Sequence, residues 1–204
     1  KEQRDDRLRK LAAIINRHVE YAIWTAIDLD AHANTWSKLG KPSSEPYFWC
    51  LHTLVLGTCF DLWEECGWRE KFEAYFDEQL IFGERARKWL PFISELMQHA
   101  HPSEAALLPD DLIFCKDDDF PQIQAADLWA WCIRRNTDNP EEEAFQWLLG
   151  EMTNVSQSNY CNYYDLERMT AVINESHRIA QSGDVPNHLL PLYKQTLSSK
   201  GRGK

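Results

Sequence analysis

FPQIQAADLWAWCIRR, residues 120–135, is the stretch on which the reading of this chain turns. Ile123, Ala125, Ala126, Leu128, Ala130 and Ile133 give it the apolar content of a buried helix, with tryptophans at 129 and 131. Pro121 suits the first position of that helix, where a missing N–H costs nothing. The Asp117–Asp119 run before it reads as a solvated turn whose last acid or neighbour caps the helix. Trp129 and Trp131 are two apart, so a helix cannot turn both inward, and one of them is expected to line a groove or meet a partner. Asp127 is out of place in such a helix. It lies one turn from Gln124, at the i, i+3 spacing that sends two side chains toward one spot, among alanines that allow close approach to a sheet.

Working outward, helix and strand patterns alternate. Leu8, Leu11, Ala12, Ile14 and Ile15 make a helical stripe over 6–17, and the β-branched and aromatic HVEYAIWTAIDLD, 18–30, reads as a strand, with Asp28 and Asp30 marking its exit into solvent. A Gly, Pro and Ser-rich loop, 36–46, leads to a long apolar helix that Gly67 is expected to stop. His52 within it reads as a core histidine. KFEAYFDEQ, 71–79, is a short strand with Phe72, Ala74 and Phe76 on one face and Glu73, Tyr75 and Asp77 on the other. An amphipathic helix over 84–100, with a bend expected at Pro91, and a strand over 111–116 complete the approach to residue 120. This alternation predicts an α/β fold with a mixed or parallel sheet flanked by helices. Beyond Asn139-Pro140 the pattern becomes helical, at EEEAFQWLLGEM and again over 163–181. The expected organisation is therefore an α/β core over 1–138, a helical extension over 139–197 and a disordered tail over 198–204.

The composition narrows the functional classes. With 204 residues, 44% hydrophobic and nine tryptophans, the chain can bury a sizeable core. A formal charge of -10 argues against generic binding to nucleic-acid backbone, which relies on Lys and Arg, but leaves room for a nuclease whose metal-binding acids count toward that charge. No apolar run reaches the ~20 residues of a membrane span. The six cysteines are scattered without a C-x-x-C pair, the usage of reduced thiols in a cytoplasmic protein.

Two carboxylates stand where metal chemistry can use them. Asp77, with Glu78 beside it, ends a strand, and strand ends are where α/β sheets collect reactive groups. Asp127 and Gln124 sit on the late helix. If strand and helix are neighbours, two acids converge on one rim, the hard-oxygen donor set that suits Mg²⁺ or Mn²⁺. The same residues have plainer readings: Asp127 as a first-turn acid favouring the helix dipole, and Asp77 as a turn residue.

These residues resemble a known family. A strand ending Phe76-Asp77-Glu78, followed by a Q-x-A-D-L-type helix at Gln124 to Leu128, is similar to the prokaryotic domain-of-unknown-function family 3800 (DUF 3800). That family commonly reads "LQ-x-AD-x-x-A" there with basic residues after it, matched by Ile123, Gln124, Ala126, Asp127, Ala130 and Arg134/Arg135. Pro46-Tyr47, opening the long apolar helix, fits too, and the likeness spans roughly residues 6–136. It implies a ribonuclease H-like fold binding divalent metals, with Asp77 the middle-strand acid, Asp127 the late-helix acid and Gln124 a substrate-contacting or supporting partner. The D-E-S-G strand with which members typically open, whose Asp would be the central ligand, does not occur in these 204 residues. The chain opens KEQRDD, without Met, and the motif is expected either upstream of Lys1 or nowhere in the protein.

Two functions follow as expectations. The first is metal-dependent phosphodiester hydrolysis, with Asp77, Asp127 and Glu78 as Mg²⁺ or Mn²⁺ ligands, Gln124 and Arg134 meeting substrate, and nucleic acid or a nucleotide as partner. The second is a catalytically inactive interaction module on the same scaffold, part of a prokaryotic defence or mobile-element system. The apolar C-terminal helices are candidates for a homodimer or protein interface.

Overall fold

The computed structural model describes residues 2–39, 42, 44–78, 80–138, 152, 156–157 and 161–182. Helix α1 runs Glu2–His18, and two short strands follow, β1 at Tyr21–Ala22 and β2 at Thr25–Ile27. The single strand expected over 18–30 is thus cut short at both ends. At the first end helix α1 runs on through His18, with the Val19 N–H still bonded to the Ile15 carbonyl, and at the second Asp28 accepts from the backbone N–H groups of Asp30 and Ala31 and caps helix α2, Leu29–Asn34. A 3-10 turn at Trp36–Lys38 precedes α3, Pro46–Glu64, whose first residue is the proline. Just beyond α3, Gly67 takes a φ of 63°, the left-handed geometry that ends helices and favours glycine.

The centre of the molecule is strand β3, Ala74–Asp77, paired in parallel with β4, Leu112–Cys115. Between them lie α4, Leu80–Ala100, with Pro91 inside it, and the short α5, Pro102–Ala105. Helix α6, Pro121–Asp138, follows β4. Alternation along β3 falls as the sequence requires: Ala74 is buried among α3 and α4, Phe76 stacks on Phe114, and Tyr75 is exposed. A core of Phe48, Leu51, Val55, Leu90, Ile93 and Leu112 fills the space between these elements.

The C-terminal part is not helical throughout. Residues 139–151, including the expected helix at EEEAFQWLLGEM, and the tail 198–204 lie outside the described residues. Within the expected extension, β5 (Ser156–Gln157) pairs in parallel with β1, and β6 (Asn162–Tyr164) with β2. Helix α7, Leu166–Ser182, then packs back on α2. Tyr164 and Met169 join Ala31, Trp36 and Leu39 in a second core, and Trp36 donates its indole N–H to the Met169 carbonyl at 3.1 Å. Tyr164 and Thr53 share a buried hydroxyl hydrogen bond of 2.8 Å that ties β6 to α3. The fold is therefore mixed α/β with parallel pairings, but the strands form three two-stranded pieces rather than one continuous sheet among the described residues. None of the described helices is long and apolar enough to cross a membrane, and none of the six cysteines is in a disulfide.

Candidate functional site

Asp77 is the last residue of β3, and Asp127 lies nearly two turns into α6. The two elements touch, and both acids line the same cavity, about 400 Å³ in volume. Its body is apolar: Leu51 and Leu54 of α3, Phe76, Phe82 and Phe114 wall it, and the two carboxylates stand at its mouth. A second hollow of about 470 Å³ continues from it toward residues 21–25, sharing Leu54, Gln122, Ala126 and Asp127. The two hollows are neighbours, with Leu54 of α3 and Gln122, Ala126 and Asp127 of α6 common to their linings. A concave apolar body with a few convergent polar groups is the usual build of a ligand site.

The electrostatics place the acids within each other's field. The Asp127 carboxyl is held above the usual carboxylate range, first by loss of solvent around it and then by the negative charges of Asp77 and Asp117. The Cys115 thiol is pushed up likewise, by desolvation and then by Asp119 and Asp77. Asp77, Asp127 and the 117–119 turn thus share one acidic rim. Such a rim favours either a shared proton or a cation.

The other expected site residues fall elsewhere. Glu78 is exposed, and strand alternation sends its side chain to the face opposite Asp77, so it is not part of the cavity wall; its backbone N–H bonds the Cys115 carbonyl at 2.9 Å. Gln124 does not line the cavity either. Its amide donates to the Asp117 carbonyl at 3.0 Å and pins the acidic turn to α6. Arg134, expected one face-repeat along from Asp127, lies outside the wall and pairs with Asp138 at 3.6 Å, a turn further along the same helix. Its side chain is 79% exposed. The face of α6 that meets the cavity is instead Gln122, Ile123, Ala126 and Asp127. Gln122 and Tyr75 were not foreseen as wall residues. The former shares the face of Ile123 and Ala126, a signal present in the sequence but overshadowed by the i, i+3 pairing of Gln124. Tyr75 stacks on Phe120 with ring centroids 5.4 Å apart and donates its hydroxyl to Glu73 at 2.7 Å.

Asp28, read as strand exit, is a helix cap. His52 is the enclosed histidine its surroundings suggested, between Phe48 and Trp49, and burial holds its imidazole down to about 4. Of the tryptophan pair, Trp129 is buried at 8% and Trp131 is 38% exposed.

Among the described residues, no group of three or more His, Cys, Asp or Glu stands close enough to hold a metal ion. The pair at the cavity mouth offers two carboxylate donors of the hard-oxygen kind, and Mg²⁺ characteristically takes one or two protein carboxylates, its remaining positions filled by water and substrate oxygens. No family model, no curated protein and no solved structure matches the chain.

Proposed function

We propose that the Asp77–Asp127 mouth binds Mg²⁺ or Mn²⁺ and that the chain is a ribonuclease H-like, metal-dependent phosphodiester hydrolase. The observation that carries this reading is the convergence of two acids, fifty residues apart in sequence, on one cavity, with the Asp127 carboxyl raised in the field of Asp77. Two carboxylates left facing each other repel, and a divalent cation relieves that repulsion.

In this reading Asp77 and Asp127 hold the ion. When bound, it supplies Lewis-acid polarisation of a phosphodiester oxygen. Gln124 keeps the 117–119 turn folded against α6, so Asp117 maintains the negative potential at the mouth. The apolar wall of Leu51, Phe76 and Phe114 gives the non-reacting part of the substrate a surface to pack on. Gln122, on the cavity wall, is the neutral donor available to a phosphate oxygen.

The test is hydrolysis of bis(p-nitrophenyl) phosphate, and of RNA, DNA and hybrid duplexes, with Mn²⁺ or Mg²⁺ present. Asp77→Asn and Asp127→Asn are each expected to lower the rate at least about 100-fold, the scale on which a single electrostatic group at such a centre acts. Activity that survives both substitutions would remove the assignment.

The second reading is a non-catalytic interaction module on the same scaffold. It is supported by Asp77 and Asp127 being the only carboxylates on the cavity wall among the described residues. Calorimetric Mn²⁺ binding that depends on Asp127, with no hydrolysis of any of these substrates, would favour it.

A further inference from the structure

Helix α1 carries a charge pattern that the two-acid mouth leaves unused. Residues 1–18 hold six Lys or Arg against three acids, whereas the rest of the chain has sixteen against twenty-nine. Ala12 and Ile15 are buried in one cluster with Trp129 and Cys132 of α6, which fixes the side of α1 that faces out. The outward stripe is Arg7, Lys10, Leu11, Ile14, Arg17 and His18, at i, i+3, i+4, i+7, i+10 and i+11, and all six are exposed. No acid stands in it. Asp6, at its margin, pairs with Lys10 at 2.7 Å and leaves that lysine side chain 73% exposed. Arg7 and Arg17 meet no acid among the described residues, whereas Arg85, Arg87, Arg134 and Arg178 each do.

A second observation ties the stripe to the mouth. Ile15 and Val19, which bracket Arg17 and His18, line the hollow that Asp127 also borders. The carboxyl end of the stripe therefore reaches the edge of the site. Neither hollow has a Lys or Arg on its wall among the described residues, so the cations that would hold a polyanion lie outside them. From Arg7 to Arg17 the helix covers about 15 Å, with its cations in a single row. One row suits one strand, whereas a duplex sets its phosphates in two rows across a groove. Leu11 and Ile14, 42% and 56% exposed, lie between the cations and offer bases an apolar surface. An anionic bilayer is the other surface that a basic helix face attracts. Two aliphatic side chains give it little to insert, and a flat bilayer does not follow the stripe to a recessed hollow.

We propose that the outer face of α1 binds a single nucleic-acid strand, with its phosphates along Arg7, Lys10 and Arg17, and leads it to the Asp77–Asp127 mouth. The binding stands by itself; its delivery to the mouth rests on the hydrolase reading above. The formal charge of -10 does not prevent it. At about 0.1 M salt, charges more than ~10 Å away are screened, and the near field is that of the stripe. Sequence preference is expected to be weak, since phosphate contacts read no base edge. Each phosphate neutralised releases counterions, so affinity falls with salt according to the number of cations engaged.

The probe is a fluorescein-labelled oligothymidylate of about fifteen nucleotides. Its anisotropy is followed as the full chain is added in EDTA, at salt between about 50 and 200 mM. Three phosphate contacts give a log–log salt slope of about -2. Arg7→Gln combined with Arg17→Gln should bring that slope to about -0.7 and weaken binding at least tenfold at the lowest salt. Both arginines are exposed, and circular-dichroism melting checks that the double variant is folded. In Mn²⁺ it should raise KM for the oligonucleotide at least tenfold and leave hydrolysis of bis(p-nitrophenyl) phosphate unchanged. Salt-dependent binding in EDTA with no hydrolysis of either substrate would keep the strand-binding face and remove the metal reading. Equal affinity of the double variant, a slope near zero, or tighter binding of the matching duplex would overturn the proposal. So would capture by phosphatidylserine–phosphatidylcholine vesicles that needs Arg7 and Arg17 while the oligonucleotide fails to bind.

Discussion

Replacing Asp127 with asparagine should change the sign of its effect on stability when Mn²⁺ is added. Without metal, the folded chain holds the Asp127 proton to a higher pH than the unfolded chain does, because of desolvation and the charges of Asp77 and Asp117. An acid raised in this way loses folding stability as pH rises through its titration, and the loss is complete at neutral pH. Asparagine carries no such loss. Asp127 is exposed, so water screens the repulsion and the gain is that of surface charge pairs, roughly 0.5 kcal/mol. For a chain of this size that raises Tm by about 1–2 °C. With Mn²⁺ at about ten times a Kd of order 1 mM, binding to the native state alone adds about 1.4 kcal/mol to the unaltered protein, or about 3–6 °C. Asp127→Asn should gain almost none of it. Scanning calorimetry of both proteins at pH 7, with EDTA and then with about 10 mM Mn²⁺, gives the comparison. The variant should melt higher in EDTA and lower in Mn²⁺. If it melts lower in both, or if Mn²⁺ lifts both equally, the two acids are not sharing a cation.

Ile93 is fully buried in the main core, so Ile93→Ala should lower unfolding free energy by about 2–5 kcal/mol in urea titration. A cost below that range would mean the site collapses around the lost atoms. Gly83 lies in α4 with its absent Cβ position 3.3 Å from the Phe114 ring; Gly83→Val should destabilise by about 1–3 kcal/mol in the same titration, and a neutral result would contradict that close approach. His52 has its imidazole depressed to about 4 against an ordinary 6.5. Stability should therefore be lost as pH falls between those values, by up to about 3 kcal/mol, and His52→Leu should flatten that limb of the urea midpoint against pH. Tyr164→Phe leaves the buried Thr53 hydroxyl without its partner and should cost about 1–3 kcal/mol, whereas β6 lying loosely on the molecule would make the change silent.

The α/β class and the place of Asp77 and Asp127 were legible because they rest on local rules. The period of Ile123, Ala126 and Trp129, the proline at the start of α6, and the alternation of Ala74, Tyr75 and Phe76 each fix one face of one element. What failed was non-local. β6 is three residues, Asn162–Tyr164, flanked by polar positions, and its strand character comes from pairing with β2. Nothing nearby in sequence signals that. In 18–30 the β-branched content favours a strand throughout, but the capping bonds of Asp28 start a helix within it. Gln124 and Arg134 were assigned by spacing along one helix, but which side of that helix meets the cavity is decided by α3 and β3. A single helix's spacing cannot reveal it.

The wide separation of the strand pairs has a consequence for how the chain is made. Tyr21 pairs with Ser156 and Thr25 with Asn162, whereas Ala74 pairs with Leu112. As the polypeptide leaves the ribosome amino end first, the β3–β4 unit can close early, while residues 19–27 wait for more than a hundred further residues to be synthesised. During that interval the segment holding Tyr21, Ile23 and Trp24 is exposed, the state in which chaperones capture nascent chains. The pairing of residues 21–27 is set by the arrival of residues 156–164.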